Sequence, residues 1–288
     1  MVSAVACSIA GAALVAAAGE QAVFRARSDV VVIDVAVSDG RRPVTTLTED
    51  DFELRDNGVV QTILDFDRGT LPLDVTLTID ISGSMSRQKR AAVERAIAQV
   101  GAALVQDDRA AVLTFGGSVS ERVPLRHPPV VADLTAIGSG TSIFDALLLS
   151  LVTAPVPDRR QLTIFMTDGD DTSSVFDERT VLETAGHAHG QLSFVVVRDG
   201  RVRADGAVLS AFRTIASGTG GEVLQIDEDD RLSEAFLTAL ANFRRSYVLR
   251  YTPTGVPAAG WHDVVVRTKS GRYTVRARRG YWAAEPGR

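Results

Sequence analysis

Val75, Leu77, Ile79 and Ile81 alternate along one run, and the run gives way at once to a different period. Ala92, Val93, Ala96, Ile97, Val100, Ala103 and Leu104 recur at i, i+3, i+4 spacing, which predicts a buried strand followed by an amphipathic helix. The change falls within Asp80-Ile81-Ser82-Gly83-Ser84, so that pentapeptide is a loop at a strand's carboxyl end. The transition recurs along the chain. A buried strand over residues 161–167 ends in Asp168-Gly169-Asp170-Asp171, and helical patterns over about 177–188, 206–217 and 230–244 alternate with strands over 192–197 and 222–226. A strand over 109–115, a Gly116-Gly117 turn and an antiparallel partner over 118–124 complete the set. This alternation predicts an α/β fold, doubly wound around a mainly parallel sheet with helices on both faces.

In such a sheet ligands bind beyond the carboxyl ends of the strands. Three loops emerge there: Asp80 to Ser84, Asp168 to Asp171, and Gly138-Ser139-Gly140-Thr141-Ser142, which precedes an apolar helix beginning at Ile143. Asp80, Ser82, Ser84, Thr141 and Asp168 all carry oxygen. Two ionised carboxylates would balance a divalent charge, and hydroxyls would add coordination without adding charge. Hard cations such as Mg²⁺ take ligands of this kind and retain some of their waters. Each residue also has a purely structural role open to it. Ser84 or Ser86 could cap the helix that follows, Thr141 or Ser142 could cap another, and Asp168 before Gly169 could serve a turn. Asp170 and Asp171 are expected in water, and the acidic run Asp227 to Asp230 is expected to support a helix amino terminus.

These residues resemble the von Willebrand factor type A (VWA) family and its metal-ion-dependent adhesion site, a D-x-S-x-S element followed by a Thr and an Asp. Asp80, Ser82 and Ser84 match the first element, Thr141 the second and Asp168 the third. The resemblance implies a Rossmann-like VWA domain over residues 71–245. It also implies a bound Mg²⁺ or Mn²⁺, ahead of Ca²⁺, and a protein partner whose Asp or Glu completes the coordination. In the family, the ligand at Thr141 accompanies switching between closed and open states. A VWA subunit of an ATPase or metal-insertion complex is the alternative reading.

Both flanks read as strands. Residues 30–37, 52–55 and 59–66 alternate around Ser38-Asp39-Gly40 and Asp56-Asn57-Gly58 turns, and residues 247–251, 262–268 and 272–278 continue the pattern after the last helix. The two β segments, 20–70 and 246–288, are expected to pack as one β-sandwich with the VWA unit inserted between them. Asp50, Asp51 and Asp56 read as turn and surface residues. The leading segment resembles the one that precedes the VWA domain in bacterial secreted VWFA-related proteins of the acidobacterial type.

The apolar run Ile9–Ala18, ending in three alanines, suits a signal peptide over residues 1–19 and hence export, and it is too short for a membrane span. The single cysteine, Cys7, excludes an intramolecular disulfide and a Cys-based zinc site. With a net charge of −5 nothing calls for nucleic acid, and the local run Arg267, Lys269, Arg272, Arg276, Arg278 and Arg279 reads as a solvated strand edge. His187 and His189 read as surface residues.

Enzymatic frames are missing. Ser82 stands where an aspartate-nucleophile phosphatase would place its acid, no G-x-S-x-G frame surrounds Ser82 or Ser84, and no Lys-Ser/Thr follows Gly138 and Gly140. A noncatalytic binding module is the expectation.

Overall fold

The computed structural model describes residues 30–83, 85–134, 140–198 and 206–284. The expected signal peptide with Cys7, and also Ser84, Gly138 and Ser139, lie outside the described residues.

The first flank holds β1 (Val31–Asp39), β2 (Arg42–Pro43), β3 (Phe52–Asp56), β4 (Val59–Gln61) and β5 (Asp65–Asp67). The central unit then runs β6 (Leu73–Asp80), α1 (Arg87–Ala103), β7 (Arg109–Phe115), β8 (Val119–Arg126), α2 (Ile143–Leu151), β9 (Arg160–Thr167), α3 (Glu178–Ala185), β10 (Gln191–Val197), α4 (Ala207–Thr219), β11 (Val223–Ile226) and α5 (Leu232–Arg244). The second flank holds β12 (Tyr247–Tyr251), β13 (Gly260–Thr268), β14 (Thr274–Ala277) and β15 (Gly280–Ala283).

In the central unit the strand order is β11-β10-β9-β6-β7-β8, parallel throughout except for the β7–β8 hairpin. β6 and β9 lie in the middle, covered on both faces, which is why their sequences are almost continuously apolar or β-branched. α1 and α5 pack on one face around Val93, Ile97, Phe236 and Leu240, while α2, α3 and α4 pack on the other around Leu147, Phe165, Val181 and Phe212. Ser86 caps α1 by accepting the Lys89 N–H, so of the two candidate serines it is the one described in that role.

The two flanks interleave. β12 lies between β1 and β5, with Ile33 opposite Leu249 and Leu249 opposite Phe66, and β14 adds to the other edge of β1. The second sheet runs β15-β13-β3-β4. Ile33, Val35, Leu54, Tyr247, Leu249 and Tyr251 fill the space between the sheets, which together make a sandwich. The stretch expected as one strand over 59–66 divides, β4 staying with β3 while β5 crosses to the sheet of β12, and β15 is a strand that the sequence pattern did not indicate. At Gly69, where the chain leaves the sandwich, φ is +79° and a Cβ would lie 2.0 Å from the Arg244 carbonyl oxygen. The outgoing and returning chains touch at this point, and only glycine fits.

Asp56 corrects the surface reading, because it is fully buried. Its Oδ1 lies 2.8 Å from His262 Nδ1, and its Oδ2 accepts from Tyr251 OH at 2.8 Å and Tyr281 OH at 3.0 Å. Burial is the main cause that pushes both phenols above the ordinary tyrosine range; hydrogen bonds with Tyr281 and Asp56 push Tyr251 further, and the Asp56 charge pushes Tyr281 further against its hydrogen bond with Tyr251. The folded chain therefore keeps both protons where the unfolded chain releases them, near pH 10. Stability is complete below that pH and falls above it, by about 1.4 kcal/mol per pH unit for the buried Tyr251. Urea midpoints between about pH 8 and about pH 11 should show the fall, and Tyr251→Phe should flatten it; an equal slope in the variant would contradict this account.

The sandwich docks on the amino ends of the parallel strands. Arg160, at the start of β9, reaches Asp34 of β1 at 2.6 Å, and Arg279 N–H donates to Gly218 O at 3.2 Å beyond the middle of α4. The basic run is a solvated edge only in part: Arg267, Lys269, Arg272 and Arg279 are exposed, while Arg276 and Arg278 are half-buried. Arg276 pairs with Glu222 at 2.9 Å, Arg278 donates to Ala188 O at 2.8 Å, and Arg272 alone of these three is fully exposed, beside Asp39. His187 and His189 are exposed, as expected.

Candidate metal centre

The opposite edge of the sheet, at the carboxyl ends, carries the candidate residues. β6 and β9 are neighbours in register, Ile79 opposite Met166, so Asp80 at the end of one and Asp168 just past the other emerge side by side. Both are fully buried. Thr167 Oγ1 donates to Asp80 Oδ2 at 2.6 Å, and the Ser82 N–H donates to Asp80 Oδ1 at 2.9 Å. Burial pushes the Asp80 carboxyl above the usual carboxylate range, the Asp168 charge pushes it the same way, and the hydrogen bonds from Thr167 and Ser82 act against them.

Backbone bonds tie the loops of this edge together. Ile81 N–H donates to Phe115 O at 2.7 Å, and Ser142 N–H donates to Gly116 O at 2.7 Å, which fastens the Thr141 loop to the end of β7. Thr172 N–H in turn donates to Thr141 O at 2.9 Å, and Thr141 N–H donates to Thr172 Oγ1 at 2.9 Å. Gly140 sits at φ +105°, with space for a Cβ closed by Ser173 Oγ at 2.8 Å. Asp80 and Ser82 thus meet directly, Asp168 lies close enough for its charge to act on Asp80, and Thr141 is buried and joined to the same edge through backbone contacts. Ser84 lies outside the described residues.

Two residues here depart from the sequence reading. Asp171, expected in water, accepts from Ile143 N–H at 2.8 Å and from the Ser174 hydroxyl, capping α2 instead of facing solvent. Lys89 was not anticipated. Its side chain is 6% exposed and its Nζ lies 2.5 Å from Asp168 Oδ2. The signal was readable, since Lys89 is three and four residues ahead of buried Ala92 and Val93 and shares their helix face.

The donors fit a hard divalent ion. Two buried carboxylates beside hydroxyl-bearing residues make an oxygen set, and among the described residues no group of three His, Cys, Asp or Glu is placed to hold a metal ion. No helix among the described residues is long and apolar enough to cross a membrane.

Three of the solved structures similar to this chain are of low sequence identity. A von Willebrand factor type A protein from Catenulispora acidiphila is 16% identical, with a TM-score of 0.52 over 84% of this chain and 76% of that one. Proximal thread matrix protein 1 of the mussel byssus is 15% identical with a TM-score of 0.49, over 60% of this chain and 48% of its own, so the chain spans about half of that protein. The manganese-loaded TRAP protein of Plasmodium vivax is 14% identical with a TM-score of 0.46, over 79% of this chain and 98% of that one. No curated protein matches. The sequence model of the von Willebrand factor type A domain matches residues 74–237, more than half of the chain, and the chain belongs to that family.

Proposed function

We propose that this chain is a noncatalytic, exported protein-binding module, of the kind found in bacterial secreted VWFA-related proteins. In this reading Asp80, Ser82, Ser84, Thr141 and Asp168 hold a divalent cation, Mg²⁺ or Mn²⁺, at which an acidic side chain of a partner docks. The observation that carries the proposal is the pair of buried carboxylates, Asp80 and Asp168, side by side at the sheet edge that the sandwich leaves open. A bound divalent ion would supply an electrophilic position for an incoming carboxylate. Asp80 and Asp168 provide its countercharge, and Thr167 and Ser82 hold the Asp80 carboxyl in place. Beside this edge Val175 and Phe176 are 87% and 51% exposed on the loop that follows Asp168, held by backbone bonds to Asp145. They offer apolar contact to a partner whose acidic residue points inward. The apolar run Ile9–Ala18 supports export.

Manganese titration by calorimetry tests the reading. Asp80→Ala is expected to weaken uptake by more than about 100-fold, beyond what loss of an outer partner does to a metal site. The fold should lose no more than about 1 kcal/mol, because the lost hydrogen bonds are offset by removal of a desolvated charge. A partner recovered by pull-down from a secreted fraction should be released by chelator and missed by the variant. Equal manganese uptake by the two proteins would refute the proposal.

A further inference from the structure

We propose that Lys89 is a tethered cation that competes with the divalent ion for Asp168, and that Asp229 receives its ammonium when the ion is bound. The inference rests on the metal reading above and adds to it a residue that sets how tightly the ion is held.

Lys89 is placed by the fold. Ser86 caps α1 through the Lys89 N–H, and buried Ala92, Val93, Ala96, Ile97 and Val100 hold the helix against the sheet. The first turn of a helix favours negative charge, yet this one carries Arg87 and Lys89 and no acidic residue. The side chain finds its compensation across the site, where Nζ lies 2.5 Å from Asp168 Oδ2 and 4.0 Å from Asp229 Oδ1. Asp168 is fully buried, whereas the Asp229 side chain is 35% exposed, on the 3-10 turn Asp229–Arg231 that leads into α5.

A divalent ion drawn to Asp168 meets an ammonium already at hydrogen-bond distance from that carboxylate. Like charges in a buried setting repel strongly, so ion and ammonium cannot share Asp168 without cost. Lysine has a flexible four-carbon stem and a point charge with rotatable donors, so a swing towards Asp229 keeps its charge paired. Asp229 lies closer to solvent than Asp168, which makes it the weaker partner when no ion is bound and the available one when the ion takes Asp168.

Titration calorimetry of the full chain with Mn²⁺ alone tests the exchange. Lys89→Met is expected to bind Mn²⁺ at least about tenfold tighter than the natural chain. Lys89→Gln, which keeps a donor to Asp168 while removing the charge, should share the gain and guards against a folding defect in the first variant. Asp229→Asn should weaken uptake about threefold when Lys89 is present and leave it unchanged in the Lys89→Met background, the coupling that marks an exchange. Equal or weaker uptake by both Lys89 variants, or an Asp229→Asn effect of the same size in both backgrounds, overturns the proposal. If those results come with an Asp80→Ala that still lowers uptake, the metal site stands and only the competition falls. If neither the natural chain nor the Lys89 variants take up Mn²⁺, both readings fall.

Discussion

Asp56→Ala is expected to cost the fold about 3–5 kcal/mol, because it breaks a buried hydrogen-bonded cluster from its centre. Asp56 is fully buried and satisfies three side chains, accepting from Tyr251 and Tyr281 at 2.8 and 3.0 Å and meeting His262 Nδ1 at 2.8 Å. Alanine removes both carboxylate oxygens, leaving Tyr281 OH and His262 Nδ1 only each other at 3.1 Å, and each buried donor left without an acceptor costs about 1–3 kcal/mol. His262 amplifies the loss, since its Nε2 is already buried without a hydrogen-bond partner among the described residues. Asp56→Asn retains one acceptor oxygen and should recover part of the stability. Urea unfolding followed by circular dichroism measures both. A loss for alanine below about 1 kcal/mol would show that the cluster repacks around the gap.

Arg160→Ala is expected to be comparably severe, about 3–5 kcal/mol, and to act at the junction of sandwich and central sheet. The guanidinium is almost wholly buried. It donates to Asp34 Oδ1 at 2.6 Å, to Phe243 O at 2.7 Å and to Ser246 Oγ at 2.5 Å, and lies 4.2 Å from the centre of the Phe243 ring. One side chain thus joins β1, β9, the end of α5 and the link into β12. Lysine has a single terminal nitrogen and cannot span these directions, so Arg160→Lys should recover little. Alanine should also split unfolding into two transitions, one for each unit, visible as a reduced urea slope. A single unchanged slope with a small loss would mean that other contacts carry the junction.

The central unit was legible because its strands are buried on both faces and its helices are amphipathic. Such patterns are local, and α3, α4, α5, β10, β11 and β12 fall within a few residues of the expected positions. The candidate site was legible for a related reason, since each of its loops follows directly on a strand or leads directly into a helix. What escaped were side chains whose surroundings come from far along the chain. Asp56 stands beside Asn57-Gly58, and Asn57 and Gly58 do adopt the positive φ of a tight hairpin, so the turn reading was right. Its partners, however, lie about 200 residues away, and no local pattern could bring them to it. Arg276 and Arg278 look solvated in sequence because the central unit that covers them is separated from them by the whole of the returning strands. Lys89 was passed over because a charge on a helix ordinarily points to water. Its apolar neighbours one turn on said otherwise.

β5 and β12 are adjacent and antiparallel, with Asp67 opposite Val248, although the whole VWA unit lies between them in sequence. The unit is thus a cassette whose two ends leave and re-enter through a single hairpin-like gap. A tight turn from Asp67 to Tyr247 would close the sandwich without disturbing a backbone pair of its ladders, so the host could accept or lose such a cassette in one genetic step. The same gap means that a pull on the central unit reaches the host through two parallel covalent tethers, so the load divides between neighbouring strands instead of peeling one away.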